Sequence, residues 1–257
     1  MRFLLEFHPA ISLIILCLIT LSISYLGLSY VRKKIPHEIL KENHEVGGFI
    51  FNAFGLIYAV LVAFVVYATW NEYENSKINV DLEASELSDL QLNSMAFAEP
   101  MRSEIKSAIN EYLQSVINDE WKLQSNGEVS RKATDDFHRL WGTYTSADVS
   151  RLPNEPAYRE SLKHLNDLSE YRRTRIFQSQ DTIPWVIWLI LLFGAIVSIL
   201  YTFFFGTKKV FTQFLMTAAL TITNTFVLYL IYILDNPFAG SMKVSSYAFE
   251  YLLKMLQ

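Results

Sequence analysis

Six groups of residues have side chains whose type and spacing could do chemistry. His37-Glu38 and His44-Glu45 fall in a short connector and offer imidazole and carboxylate groups. Their spacings match no compact zinc or calcium pattern, and Glu38, Glu42 and Glu45 share one helical face as a solvated face would. No metal site is assigned to them. Gly48, Asn52, Gly55, Ala59 and Ala63 recur at i, i+4, i+7, i+11 and i+15, a stripe of small residues holding one amide. It reads either as a close helix-packing surface or as a wet, pore-facing one. An amide in hydrocarbon must find a partner, so Asn52 faces protein or water in both readings.

Thr217, Thr221 and Asn224 (or Thr225) line one face of a later apolar run. Threonine can bond the carbonyl of its own preceding turn, so Asn224 is the more telling residue. Asp235 ends that run. It reads as a helix terminus at the membrane interface, as a charge at a pore mouth, or as a partner for the basic cluster Arg172, Arg173 and Arg175. The acidic positions Glu72, Glu74, Asp81, Glu83, Glu86 and Asp89 read as the solvated surface of a helix, or as a cation-concentrating ring if several copies assemble. No GxSxG, HExxH, GxxxxGK or glycine-rich strand-to-helix turn occurs, so no catalytic residue, cofactor or metal is expected, and an enzyme is not the reading.

The elements that must position these groups follow from the charge pattern. The chain has 257 residues, 51% hydrophobic and 19% charged. Four stretches of about 25 residues contain no Asp, Glu, Lys or Arg: between Glu6 and Arg32, Glu45 and Glu72, Asp181 and Lys208, and Lys209 and Asp235. Each exceeds the ~20 apolar residues that carry a helix across a bilayer core, which excludes a soluble protein with a single core. The first run is too long for a secretory h-region and ends without a small-x-small cleavage site, so it reads as a retained span.

The spans are placed at about 9–30, 46–70, 184–205 and 210–234, the last two joined by the Gly206-Thr207-Lys208-Lys209 turn as a hairpin. Residues 1–70 thus hold spans one and two, 71–183 an extramembrane domain, 184–234 spans three and four, and 235–257 a C-terminal tail. From Gly55 to Pro100 there is neither glycine nor proline, and Val80, Ala84, Leu87, Leu90 or Gln91, and Met95 keep helical spacing. Span two is therefore expected to leave the membrane as a stalk roughly 70 to 80 Å long. Further helical stripes are Ile105, Ile109, Tyr112 and Val116, with Trp121 near the end; Phe137, Leu140, Trp141 and Tyr144; and Tyr158, Leu162, Leu165 and Leu168 after Pro153 and Pro156. The fold class is an all-α membrane protein, with four transmembrane helices and a helical extramembrane domain between spans two and three.

Residues 71–183 carry a net charge of −7 and the remainder +3. Such an acidic segment repels nucleic acid. The single cysteine, Cys17, lies within the first span, so no disulfide framework exists. Trp70, Trp185 and Trp188 fall at one membrane face in a four-span topology, as an interfacial belt requires. The two short loops hold six Lys and Arg, and the opposite flanks hold six more: Arg2, Lys77, Arg172, Arg173, Arg175 and Lys243. The denser loop charge leans towards a domain outside the cytoplasm, whereas the Arg172–Arg175 cluster argues the other way.

The run from Gly48 to Phe64, GFIFNAFGLIYAVLVAF, resembles the signature of the bestrophin-like membrane proteins. So do Glu83-Ala84, Glu120-Trp121, Arg172 to Arg175, and Leu234-Asp235-Asn236-Pro237-Phe238-Ala239-Gly240; together they cover about 47–240. This family is catalogued chiefly as a domain of unknown function, so the likeness implies an architecture before an activity, with Asp235, Pro237, Phe238 and Gly240 as its motif after span four. A looser analogy is to bestrophins, pentameric ligand-gated chloride channels with helical cytosolic regions. It implies a homo-oligomer with span two lining a pore, and it favours a cytoplasmic domain. The chain departs from it in lacking a bestrophin-type calcium clasp, and its acidic domain attracts cations.

The function expected is an oligomeric ion channel in the inner or plasma membrane, with the bilayer, further copies of the chain and an inorganic ion as partners. The alternative is a membrane-anchored interaction or sensor module that does not conduct. A transporter fits poorly, since no broken helix or repeated half is seen.

Overall fold

Every regular element among the described residues is helical. The structure, a computed structural model, describes residues 7–36, 44–147, 154–207 and 209–256, with only the backbone at 44 and 45. His37, Glu38 and Glu42 lie outside the described residues, as do the side chains of His44 and Glu45.

In chain order the helices are α1 (Pro9–Lys34), α2 (His44–Ser94), α3 (Met101–Ser115), a π-helical turn (Val116–Glu120), α4 (Trp121–Gln124), α5 (Arg131–Thr145), α6 (Glu155–Gln180), α7 (Trp185–Phe204), α8 (Val210–Leu234) and α9 (Tyr247–Met255). Local chemistry accounts for their ends. Pro9 opens α1, where a missing N–H costs nothing, and Arg32, Lys33 and Lys34 suit the negative end of its dipole. Ser130 and Asn154 cap α5 and α6 by accepting the N–H groups of Ala133 and Ala157, each at 3.2 Å. α2 runs through the apolar stretch and on to Ser94, stopping short of Pro100.

The chain divides into two compact units. The first comprises residues 1–71 and 182–235: α1, the apolar part of α2, α7 and α8. All four helices are long and apolar enough to cross a membrane. Here α8 is the central element, packed against α1 and α7. Side-chain hydroxyls tie the three together, since an unsatisfied polar group in hydrocarbon is costly. Thr20 pairs with Thr225 at 3.0 Å, Thr221 donates to Ser24 at 3.2 Å, and Thr202 pairs with Thr217 at 2.9 Å. Near the α7–α8 turn, Arg32 donates to Gln213 and to the carbonyl of Thr207, while Gln213 donates to the carbonyls of Thr202 and Phe203.

The second unit comprises residues 72–181 and 236–257. Its core is built from the helical stripes: Val80, Ala84, Leu87 and Leu90 of α2; Ile105, Ile109 and Tyr112 of α3; Leu140 and Tyr144 of α5; and Leu165 and Leu168 of α6, all buried. Met95, read as the end of the α2 stripe, is exposed because α2 stops at Ser94. Residues after span four, read from the sequence as a tail, deliver Phe238, Val244, Phe249 and Leu252 to this core. Their apolar side chains need cover, and α9 supplies an amphipathic face to provide it.

Candidate functional site

Two places gather the residues singled out in the sequence. The first is the apolar part of α2. One face points at α7: Phe51 packs on Tyr201 and Phe205, Phe54 on Tyr201, and the Tyr58 hydroxyl donates to the carbonyl of Leu191 at 3.0 Å. A Cβ at Gly194 would lie 2.2 Å from Tyr58 Cε2, so only glycine admits this approach.

The small-residue stripe lies about a third of a turn away, by the 100° each helical residue turns. Asn52, Ala59 and Ala63 are exposed, and a side chain added at Gly48 or Gly55 would meet nothing within 4 Å. The stripe therefore packs on no other described helix of its own chain. More broadly, none of the most apolar 18-residue window of α2 is buried, against 28% for α7 and 33% for α8. The polar face of α8 behaves oppositely. Thr217 and Thr221 are fully buried at the helix contacts given above, and Asn224 donates to Ser198 of α7 at 2.9 Å. Asp235 accepts the backbone N–H of Ile183 at 2.7 Å, bracing the two ends of the hairpin.

The second place is a buried charge cluster in the extramembrane unit. Glu83 (α2), Glu120 (the π turn) and Arg175 (α6) are each 0% exposed, and Arg172 is 7% exposed. Arg175 grips Glu83 in a two-pronged pair, Nε to Oε2 at 2.6 Å and Nη2 to Oε1 at 2.9 Å, and reaches Glu120 with Nη2 at 2.8 Å. Arg172 donates to the other oxygen of Glu120 at 2.7 Å and to the Thr134 hydroxyl at 3.1 Å. Tyr112 donates to Glu83 at 2.7 Å. Two guanidiniums face two carboxylates, so the cluster is neutral, as burial of charge demands.

Aromatic faces close it. Arg175 lies over Trp121 and Phe249, and Arg172 over Phe137, each within 6 Å of the ring centre. Trp121 meets Phe238 edge-on at 5.9 Å and donates its indole N–H to the carbonyl of Val244. Gly240 takes φ +78°, a backbone that glycine accepts freely, in the loop where the Val244 N–H closes onto the carbonyl of Pro237. The π turn ends at Glu120, which is buried beside Trp121 at the start of α4.

Burial alone would lower the pKa of Arg175, but Glu83 and Glu120 together hold it well above its ordinary value. Tyr112 is pushed well above the ordinary tyrosine range, first by burial and then by the negative charge of Glu83. Arg173 points outward and takes no part. The structure thus brings Arg172 and Arg175 together with Glu83 and Glu120. The surface reading of Glu83 is replaced by a buried one. A signal for it exists: Glu83 falls at i+3 from Val80 and four before Leu87, inside the apolar stripe. The stripe places Tyr112 on the buried face of its helix but does not pair it with Glu83, and Phe249 and the cap formed by α9 carry no signal in the sequence.

A Bestrophin-like domain matches residues 18–249, nearly the whole chain. The protein belongs to the bestrophin-like family. Its fold is that of a bacterial bestrophin homologue from Klebsiella pneumoniae: a variant of that protein superposes with a TM-score of 0.70 at 13% identity, over 93% of this chain and 97% of the other. A second structure of the Klebsiella protein, solved by zinc phasing, gives 0.69 at 12% identity over 93% and 96%. Another solved membrane protein gives 0.68 at 13% identity over 95% and 97%. No curated protein matches. In this bestrophin-like protein the quoted motifs fall at the two places described: the 48–64 run on α2, and the Glu83, Glu120, Arg172–Arg175 and 234–240 motifs at or beside the charge cluster and the end of α8.

Proposed function

We propose that this bestrophin-like protein is a homo-oligomeric ion channel of the cell membrane whose pore is lined by α2, with Gly48, Asn52, Gly55, Ala59 and Ala63 facing the ion path. The observation that carries this reading is the outward stripe. Asn52 is exposed on a span otherwise built for hydrocarbon, and an amide against lipid tails is expensive. Water in a lumen satisfies it, and the small neighbours leave room for that water. Sister copies placed around an axis would supply the remaining walls. The net charge of −7 over residues 71–183 concentrates cations rather than anions near the protein, which favours an inorganic cation as the permeant species.

Recording from the full-length protein in planar bilayers under a salt gradient tests the proposal. Discrete currents are expected, with a reversal potential on the cation side, and Asn52→Leu is expected to abolish or sharply change the conductance while leaving the oligomer intact. Currents identical in wild type and Asn52→Leu would remove α2 from the pore. A silent, folded and inserted oligomer would instead favour the non-conducting interaction module.

A further inference from the structure

A cluster apart from both places combines an imidazole with carboxylates from two helices. Glu86 and Asp89 are three residues apart on α2, hence on one face, and His164 of α6 points between them. Its Nδ1 is 2.7 Å from Glu86 Oε2 and 3.9 Å from Asp89 Oδ2, and one ligand atom from each of the three residues lies within 4.8 Å of the other two. On the far side of the ring, Nε2 is 3.6 Å from Glu160 Oε1, one turn earlier on α6.

We propose that Glu86, Asp89 and His164 Nδ1 bind a divalent transition-metal ion such as Zn2+ or Co2+, with Glu160 orienting the imidazole through Nε2–H. Charge is the first argument. Glu160 is already met by Lys163 at 3.4 Å, and one imidazole, even protonated, offsets only one of Glu86 and Asp89, whereas a dication balances both. Geometry is the second. Bonds of about 2.0–2.2 Å put neighbouring ligands of a tetrahedral ion roughly 3.5 Å apart, so side-chain shifts of about 1 Å, opening the His164–Glu86 pair and drawing Asp89 in, complete the site.

The surroundings agree. The Glu86 and His164 side chains are 14% and 18% exposed and so held by packing, while Asp89 at 43% opens a way in and leaves a position for water. Glu160 lies 3.6 Å from Nε2, just beyond hydrogen-bond length, where a small shift lets it take the place of the usual outer-shell carboxylate of a metal-bound histidine. The imidazole selects a borderline ion over Ca2+ or Mg2+, which take oxygen ligands. Binding ties α2 to α6 within the second unit.

Titration of untagged, chelator-stripped full-length protein in detergent with Co2+, followed by its visible absorption, tests the site. One Co2+ per chain is expected, displaced by Zn2+ but not by excess Ca2+. His164→Gln should weaken binding more than ~100-fold, and Glu160→Gln, which touches only the far nitrogen, about 10-fold. Circular dichroism confirms that the variants are folded. Absence of saturable Co2+ binding in the wild type, displacement by Ca2+, or full binding in His164→Gln would overturn the proposal. If His164→Gln does not fold, the half-exposed Asp89→Asn takes its place, and unchanged affinity there overturns it equally.

Discussion

Arg175 and Glu83 are each tolerable in the protein interior only because the other is there. Removing one partner leaves a buried charge uncompensated, which costs about 3–5 kcal/mol, far more than an exposed ion pair contributes. Arg175→Met should therefore lower the thermal midpoint of the full-length protein steeply, as followed by circular dichroism. Adding Glu83→Gln should recover much of the loss, because the stranded charge goes with it; a double variant no better than the single would contradict this account. Tyr112 gives the cluster a pH dependence. Its pKa is raised in the folded protein, so the fold holds that proton more tightly than the unfolded chain does. The resulting stabilisation is fully present below the ordinary tyrosine value near 10 and is lost as pH rises through the folded value. Tyr112→Phe removes a hydrogen bond to a carboxylate, worth about 1.5–3 kcal/mol, so it should be less stable at pH 8. Its stability should also fall less steeply than wild type between pH 8 and pH 11. Parallel slopes in thermal melts across that range would show that Tyr112 does not contribute.

At the scale of elements, most of the architecture was legible because helices announce themselves twice, in charge-free length and in period. The run from Val210 to Leu234 has no charged residue and is α8 to the residue. The stripe Ile105, Ile109, Tyr112 is the buried face of α3. What period cannot announce is a change of period. The π turn at Val116–Glu120 holds Glu120 against Arg172 and Arg175, 52 and 55 residues away in sequence, and no local pattern encodes that pairing. The same limit applies to polar faces. Thr217, Thr221 and Asn224 were visible as a stripe, just as Gly48, Asn52 and Ala59 were. Only their neighbours separate them, hydroxyls of α1 and α7 around the first and no packed helix around the second. Residues 235–257 read as a tail because short segments without a span-length run carry little signal, yet Phe238 and Phe249 are among the most buried side chains.

The whole molecule is where the exposed surface of α2 has to be explained. A span with no buried residue in its apolar window can face lipid, but lipid does not account for Asn52 on that surface. In the proposed channel a second copy covers part of α2 and a lumen takes the rest, so the two faces should differ in their access to water. Cys17 is the chain's only cysteine, which makes the difference measurable. In a Cys17→Ser background, single cysteines at Asn52, Ala59 and Ala63 should react with a membrane-impermeant thiol reagent in intact proteoliposomes. Cysteines at Ile57 and Phe64, large apolar positions that are also exposed in the single chain, should not. Native mass measurement of the same sample should give an integral multiple of the chain mass of 29.7 kDa. A mass of one chain would remove the sister copies on which the lumen depends. An oligomer in which all five cysteines are equally inert would instead make the small stripe a helix-packing seam between copies, where Asn52 bonds its counterpart and water has no place.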